Sequence, residues 1–353
     1  MKTIVFTGGG TAGHVTPNLA LMGKLSPAQW DIHYIGTADG IEHELLAAER
    51  RVTYHSIEAG KLRRYASLKN LSDPLRVLRG FAQSKRILKT LKPDVVFSKG
   101  GYVSVPVVMA ARGKCPVIVH ESDFSPGLAN RIAARYADVL CLTFDQATEK
   151  GGKCRKVVTG TPIRPELYAG ARESALAFAG LSGKKPVLLA MGGSQGAGPV
   201  NEILREALPQ LLPTFDIVHL CGKGKVAAEL KLPGYVQFAY VNREMPDLLT
   251  LADVVLSRAG ANSVFELLAL QKPAVLVPLP LYASRGDQIQ NASYMAEREY
   301  AVHLPQEEMT ADVLTAALNN LYVQRRSYAI RMRGAKADGT DRIAGLICEL
   351  AGE

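Results

Sequence analysis

The residues Gly8-Gly9-Gly10-Thr11-Ala12-Gly13-His14 stand directly after an apolar run, 2–7, and ahead of a helical pattern. Glycines there let main-chain N–H groups approach an oxyanion at the positive end of a helix dipole, so the loop suits phosphate. A tight turn demanded by packing alone would read the same way. The loop lacks the Gly-Lys-Ser/Thr of a nucleotide-binding P-loop, and no acid closes the run 31–35 to hold the ribose of a nicotinamide dinucleotide. A nicotinamide oxidoreductase is thereby disfavoured. Two further loops, Ser98-Lys99-Gly100-Gly101-Tyr102-Val103-Ser104 and Gly192-Gly193-Ser194-Gln195-Gly196-Ala197, also follow apolar runs. Three such loops fit a large, phosphate-bearing ligand. No Asp-x-Asp pair is present to carry a carboxylate-held Mg²⁺. A diphosphate would therefore meet main-chain dipoles, Ser194 and a cation such as Arg164, with neither metal nor cofactor expected.

The elements that must position these loops follow from the periodicity. Strand-like runs at 2–7, 31–35, 53–57, 94–98, 116–119, 138–142 and 157–160 alternate with helical patterns. A second series follows at 186–191, 216–221, 236–239, 253–257, 274–277 and 301–304. Continuous apolar strands separated by helices imply parallel sheets covered on both faces. The stretch 3–13 is echoed by 187–197, so each half opens with strand, glycine loop and helix. The reading is α/β, two doubly wound Rossmann-like domains facing across a cleft. The junction is expected at Gly160-Thr161-Pro162-Ile163-Arg164-Pro165, where two prolines stiffen the connection.

The chain has 353 residues, 47% of them hydrophobic and 21% charged, enough for two cored domains and too apolar for a disordered chain. Mean hydropathy is +0.04. Five widely spaced cysteines without a CxxC pair read as free thiols in a reducing compartment. The N-terminus lacks the apolar core of a secretory signal, and the most apolar runs are far shorter than a membrane span of about 20 residues. The net charge of +9 is concentrated: between Lys61 and Lys92 ten Lys/Arg face one acid, Asp73, which accounts for the whole excess. Leu71, Leu75, Leu78 and Phe81 recur there at helical spacing, and the segment carries few stacking aromatics. That pattern suits an anionic membrane surface better than nucleic acid, whereas a helix whose stripe faces its own core is the plainer alternative.

Taken in order and spacing, the loops at 8–14, 98–104 and 192–197 specify more than any one of them. So do His120-Glu121-Ser122-Asp123, Gly160–Arg164, the stretch Ser257-Arg258-Ala259-Gly260-Ala261-Asn262-Ser263-Val264-Phe265-Glu266, and Asp287-Gln288-Ile289-Gln290-Asn291. Together they resemble, over almost the whole chain, the MurG family of bacterial N-acetylglucosaminyltransferases. These move GlcNAc from UDP-GlcNAc to undecaprenyl-linked muramyl-pentapeptide in peptidoglycan synthesis. The resemblance implies the GT-B type fold, with 1–161 facing acceptor and membrane, 162–335 binding UDP-GlcNAc, and a final helix at about 336–353 returning to the first domain. It implies an inverting, metal-independent transfer to the C4 hydroxyl at the cytoplasmic face of the membrane, by a peripheral protein on the anionic inner leaflet, with no nucleic-acid partner.

Carried over by position, Ser194 and Arg164 meet the UDP diphosphate and Glu266 the ribose hydroxyls. The uracil lies near Val241 and the loop with Ala261, Asn262 and Ser263, while Gln288 and Asn291 meet the sugar hydroxyls. Thr11, Ala12 and Gly13 face sugar and acceptor. Some family members carry His-Glu-Gln-Asn at positions 120–123. An ionised Asp123 accepts hydrogen bonds where that asparagine could also donate. His14 is the first candidate for the catalytic base, since a helix dipole would disfavour its imidazolium, and Glu121 is the reserve. A UDP-sugar epimerase of the same architecture is the alternative reading, although it leaves the basic segment without a use.

Overall fold

The computed structural model describes residues 1–60, 69–145, 154–192 and 196–352, and of residues 69–72 the main chain only. Ser194 lies outside the described residues, as do Lys61, Arg63 and Arg64 of the basic segment. The chain forms two compact units, Met1–Arg164 with Asp338–Glu353, and Pro165–Ala337.

Unit 1 carries β1 (Lys2–Thr7), β2 (Trp30–Gly36), β3 (Val52–Ser56), β4 (Val95–Ser98), β5 (Val117–Glu121), β6 (Val139–Leu142) and β7 (Arg155–Val158). They form one sheet in the order β3-β2-β1-β4-β5-β6-β7, every pairing parallel. Its helices are α1 (Thr16–Lys24), α2 (Ile41–Leu46), α3 (Lys69–Leu91), α4 (Ser104–Ala111) and α5 (Leu128–Ala133). Unit 2 holds α6 (Arg172–Ala179), β8 (Val187–Met191), α7 (Gly198–Leu211), β9 (Asp216–Leu220), β10 (Tyr235–Phe238), α8 (Met245–Leu251) and β11 (Val254–Ser257). It continues through α9 (Ala261–Ala269), β12 (Ala274–Leu276), α10 (Asp287–Glu297), β13 (Ala301–His303) and α11 (Ala311–Met332). The second sheet is likewise parallel, in the order β10-β9-β8-β11-β12-β13. The final helix, α12 (Thr340–Ala351), belongs to unit 1. Both orders are those of doubly wound sheets.

Alternation along the buried strands builds two cores in unit 1. Ile4, Phe6, Val95 and Phe97 face α1 and α12, where Leu21, Met22, Ile343, Leu346 and Ile347 complete one core. Val5, Val96, Val117 and Val119 face the other side, against Val107 and Val108 of α4 and Leu88 of α3. A carboxylate repeats as a register pin. Asp94, Asp138 and Asp253 each sit just ahead of one strand and accept the N–H of Thr3, Val117 and Val187 in the neighbouring one, at 2.7–2.8 Å. The pairing of β1, β5 and β8 is thus set at their entrances.

Helix α3 turns Asp73, Gly80, Ser84 and Leu88 inward. Leu75 and Leu78 remain 59% and 63% exposed, so these two members of the stripe do not face the protein's own core. No helix of the described residues is long and apolar enough to cross a membrane.

Candidate functional site

In unit 1 the loops that carry chemistry follow β1, β4 and β5, three neighbours in the sheet, at their carboxyl ends. The first loop is held on every side by the protein itself. Gly8 O accepts from the buried Tyr34 hydroxyl at 2.8 Å, and Gly9 N donates to Gly100 O at 3.4 Å. Gly10 N donates to Oε2 of Glu42 at 3.1 Å. Glu42 is fully buried, and its other oxygen accepts from Thr37 N at 3.0 Å and Thr37 Oγ1 at 2.6 Å. The first two N–H groups expected to meet a ligand oxyanion, those of Gly9 and Gly10, are thus bound within the protein. At Gly9 and Gly10 the donors are taken, and the anion at Gly10 is the protein's own carboxylate, which would repel a phosphate placed there.

Thr11 is exposed, and Ala12–His14 form a short 3₁₀ turn ahead of α1, which starts at Thr16. His14 Nδ1 lies 3.1 Å from Gly9 O and 3.0 Å from Thr11 Oγ1. A carbonyl oxygen only accepts, so the Gly9 contact is a hydrogen bond when Nδ1 carries the proton, the tautomer whose lone pair is on Nε2. Gly101 brings the second loop onto the same spot, with φ at +84°. A Cβ there would lie 2.2 Å from Gly9 O and 3.0 Å from His14 Nδ1, so this close approach requires glycine.

The third group collects at β5. Lys99 is fully buried and its Nζ donates to Ser122 Oγ. Glu121 is buried too: Oε1 accepts from Asp123 N at 2.9 Å, while Oε2 accepts from Asn130 Nδ2 at 2.9 Å and Gly127 N at 3.3 Å. Burial, helped by the Asp123 carboxylate, pushes the Glu121 carboxyl up to about 7, against the pull of its donors and of Lys99. Burial likewise brings the Lys99 ammonium down to about 8, opposed by Glu121 and Asp123. With both oxygens engaged, Glu121 shapes the turn that presents half-exposed Asp123. His120 is buried and held neutral, its Nε2 donating to Gly160 O at 2.9 Å.

In unit 2 the corresponding loops follow β8, β11 and β12, again adjacent. Ala261, Asn262 and Ser263 open α9 behind an extended Gly260, and Glu266 stands one turn further, half-buried. Val241 is buried after β10. The two amides expected on a sugar differ in their placement. Gln288 is half-buried and accepts Leu279 N at 3.0 Å through Oε1. Asn291 is buried and its Nδ2 donates to Ala259 O at 3.0 Å, which braces the loop after β11. Arg258 anchors the same region, with NH1 on the carbonyls of Val277 and Pro278 and NH2 on Gln306 Oε1 at 2.7 Å. Arg164 closes unit 1 rather than opening unit 2.

Sequence reasoning missed Glu42, Lys99, Asn130 and Arg258 as organisers of these loops. Glu42 reads as an ordinary first-turn helix acid, and only its burial beside Gly9, Gly10 and Gly40 distinguishes it. A charged residue inside a glycine loop was the available signal for Lys99.

Residues 4–141 match the glycosyltransferase family 28 N-terminal domain, and residues 187–346 match the family's C-terminal domain. A Lachnospira eligens protein named UDP-N-acetylglucosamine--N-acetylmuramyl-(pentapeptide) pyrophosphoryl-undecaprenol N-acetylglucosamine transferase is 51% identical over 98% of this chain and 99% of its own. A Clostridium botulinum protein of the same name is 49% identical over 98% and 99%. The crystal structure of Acinetobacter baumannii MurG superposes with a TM-score of 0.78 at 29% identity, covering 99% of this chain and all of that one. The kitacinnamycin glycosyltransferase shares the fold, with a TM-score of 0.76 at 18% identity.

The raised carboxyl of Glu121 has a consequence for stability. A carboxylate ordinarily titrating near 4.5 and held near 7 in the fold favours folding below 4.5, and that contribution is lost as pH rises toward 7. Unfolding free energies of the wild type, measured against Glu121→Gln, should fall relative to the variant between about pH 4.5 and 7 and run parallel below. A difference that stays constant through that window would show that Glu121 titrates normally.

Proposed function

Because the chain belongs to glycosyltransferase family 28, we propose that it performs the transfer its full-length relatives are named for. That reaction moves N-acetylglucosamine from UDP-N-acetylglucosamine to the C4 hydroxyl of pyrophosphoryl-undecaprenol-linked N-acetylmuramyl-pentapeptide. The observation that carries this reading is the match of relatives with that name along 98% of the chain, at about half of all positions. An epimerase of similar architecture is set aside, since both domain matches are to a glycosyltransferase family.

In the proposed step the acceptor O4 attacks C1 of the α-linked sugar from the face opposite UDP. The new C1–O4 bond forms as the bond from C1 to the diphosphate oxygen breaks, and UDP takes the electron pair. The hydroxyl proton goes to Nε2 of His14, the nitrogen that carries the lone pair in the tautomer the Gly9 carbonyl selects. Asp123 accepts a hydrogen bond from a substrate hydroxyl, and Thr11, Ala12 and Gly13 face the reacting sugars. On the donor, Glu266 grips the ribose diol, and Ser194 with Arg164 meets the diphosphate. Main chain near Val241 and Ala261–Ser263 takes the uracil, and the N–H₂ end of Gln288 donates to a sugar hydroxyl. No metal enters this scheme.

Helix α3 supports docking of the protein to the anionic inner leaflet, as a peripheral protein at the cytoplasmic face. Exposed Leu75 and Leu78 share its outer surface with exposed Arg76, Arg79, Lys85, Arg86 and Lys89. Apolar side chains that enter the headgroup region, flanked by bases worth about 1 kcal/mol each at such a surface, describe an interfacial helix.

The transfer is tested by incubating the protein with UDP-GlcNAc, with and without the lipid-linked acceptor. UDP release should depend on the acceptor, and acceptor-independent conversion of the UDP-sugar would overturn the reading. His14→Ala should lower kcat by about 10²–10⁴-fold with UDP-GlcNAc affinity nearly intact. Turnover near normal would remove His14 as the base. By calorimetry, Glu266→Ala should weaken UDP and UDP-GlcNAc alike, by roughly ten- to a hundredfold, whereas Gln288→Ala should weaken only the sugar nucleotide. Equal loss of UDP in both would undo that assignment. Reversing the charges of Arg76, Arg79, Lys85 and Arg86 together should abolish co-sedimentation with anionic vesicles while leaving the thermal unfolding curve in place. Unchanged co-sedimentation would exclude α3 as the docking surface.

A further inference from the structure

The carbonyl of Gly9 and the N–H of Gly10 are the two ends of a single peptide unit, and both ends are held. The N–H donates to Glu42 Oε2 at 3.1 Å, and the carbonyl accepts from His14 Nδ1 at 3.1 Å. We infer that Glu42 is a positioning residue acting on His14 through this one peptide, so that carboxylate, peptide and imidazole form a line that decides which ring nitrogen is basic. The inference rests on the reading of His14 as the base.

A trans peptide points its N–H and C=O in opposite directions, so fixing one end aims the other. Between two glycines this peptide can turn over at little steric cost, and Gly10 already sits at φ +84°. Turned over, the unit would aim the Gly9 carbonyl at the Glu42 carboxylate and the Gly10 N–H at His14. The first contact is repulsive. The second would require a lone pair on Nδ1 and place the proton on Nε2, where the ring could no longer accept the acceptor's proton. Glu42 therefore selects the peptide orientation that makes Nε2 the base. A charge-assisted bond at the N–H also polarises the peptide, which strengthens the carbonyl as an acceptor for Nδ1–H.

Glu42 is itself immobile enough for this work. It is fully buried, Thr37 supplies two donors to its far oxygen, and Thr37 O in turn accepts from Tyr54 Oη at 2.7 Å. The adjoining Gly8 carbonyl is pinned by Tyr34. A glutamine at position 42 cannot reproduce the arrangement, because its single carbonyl oxygen can serve Gly10 N or the Thr37 donors but not both, and its N–H₂ would oppose an N–H at the other end.

The test uses full-length protein with ¹⁵N-labelled histidine, the His14 signals being assigned by their loss in His14→Gln. Wild-type His14, when neutral, should show the Nδ1–H tautomer, and Glu42→Gln should move it toward Nε2–H. Glu42→Gln should also lower kcat by roughly 10- to 100-fold with KM for UDP-GlcNAc unchanged, and should cost less than about twofold more when added to His14→Ala. A wild-type Nε2–H tautomer would overturn the inference, as would a Glu42→Gln protein with unaltered tautomer and kcat, or losses that multiply in the double variant. Should Glu42→Gln fail to fold, as judged by circular dichroism, the wild-type tautomer still decides. His14→Ala with normal turnover would instead remove the base assignment while leaving the tautomer measurement to judge the relay.

Discussion

A strand in a parallel sheet buried on both faces has no side on which to display chemistry. β1, β4 and β5 illustrate this: successive residues go alternately to the core beneath α1 and α12 and to the core beneath α3 and α4. Polar function is thereby displaced to the carboxyl ends of the strands, where the main chain leaves the sheet with its hydrogen bonds uncommitted. The three aspartates ahead of β4, β6 and β11 belong to the same constraint, since a register slip would move every strand-end loop as well as every core residue.

At those strand ends, burial decides what each charged group does. Glu42, Lys99 and Glu121 are withdrawn from water, and a withdrawn charge must be met by donors or acceptors or be neutralised. Each has consequently become part of the loop architecture. Glu42 spans the first loop and the turn after β2, while Lys99 joins the second loop to Ser122. Glu121 closes the turn before α5. His14 and Asp123, by contrast, keep part of their surface exposed. Unit 2 shows the same division of labour between Asn291 and Arg258, which brace loops, and Glu266 and Gln288, which keep surface.

Helix α3 obeys the opposite logic. Its inward face combines Gly80 and Ser84 with Leu88, and Phe81, Ile87 and Leu91 pack against the same core, while Leu75 and Leu78 point outward among bases. A helix packed only to complete a core would carry those leucines on the other side, so their exposure is a feature that core packing does not account for.

The sequence by itself determined the two parallel sheets, the thirteen strands among the described residues and the glycine loops at strand ends, because apolar runs and glycine breaks are local signals set by main-chain geometry. It also carried the family, since seven short motifs in one order are more specific than any of them. The tertiary structure alone decided which donors and acceptors were consumed. Glycines 8–10 look identical whether they cradle a phosphate or an internal carboxylate, and the acid that fills the place lies 32 residues beyond Gly10. The residue types of Asn291 and Glu121 likewise do not show that the packed chain buries both and engages them in bonds to Ala259 O and to Asp123 N and Asn130. The contact between His14 Nδ1 and the Gly9 carbonyl belongs to the same class, because it depends on the direction of one carbonyl and no residue type encodes that direction.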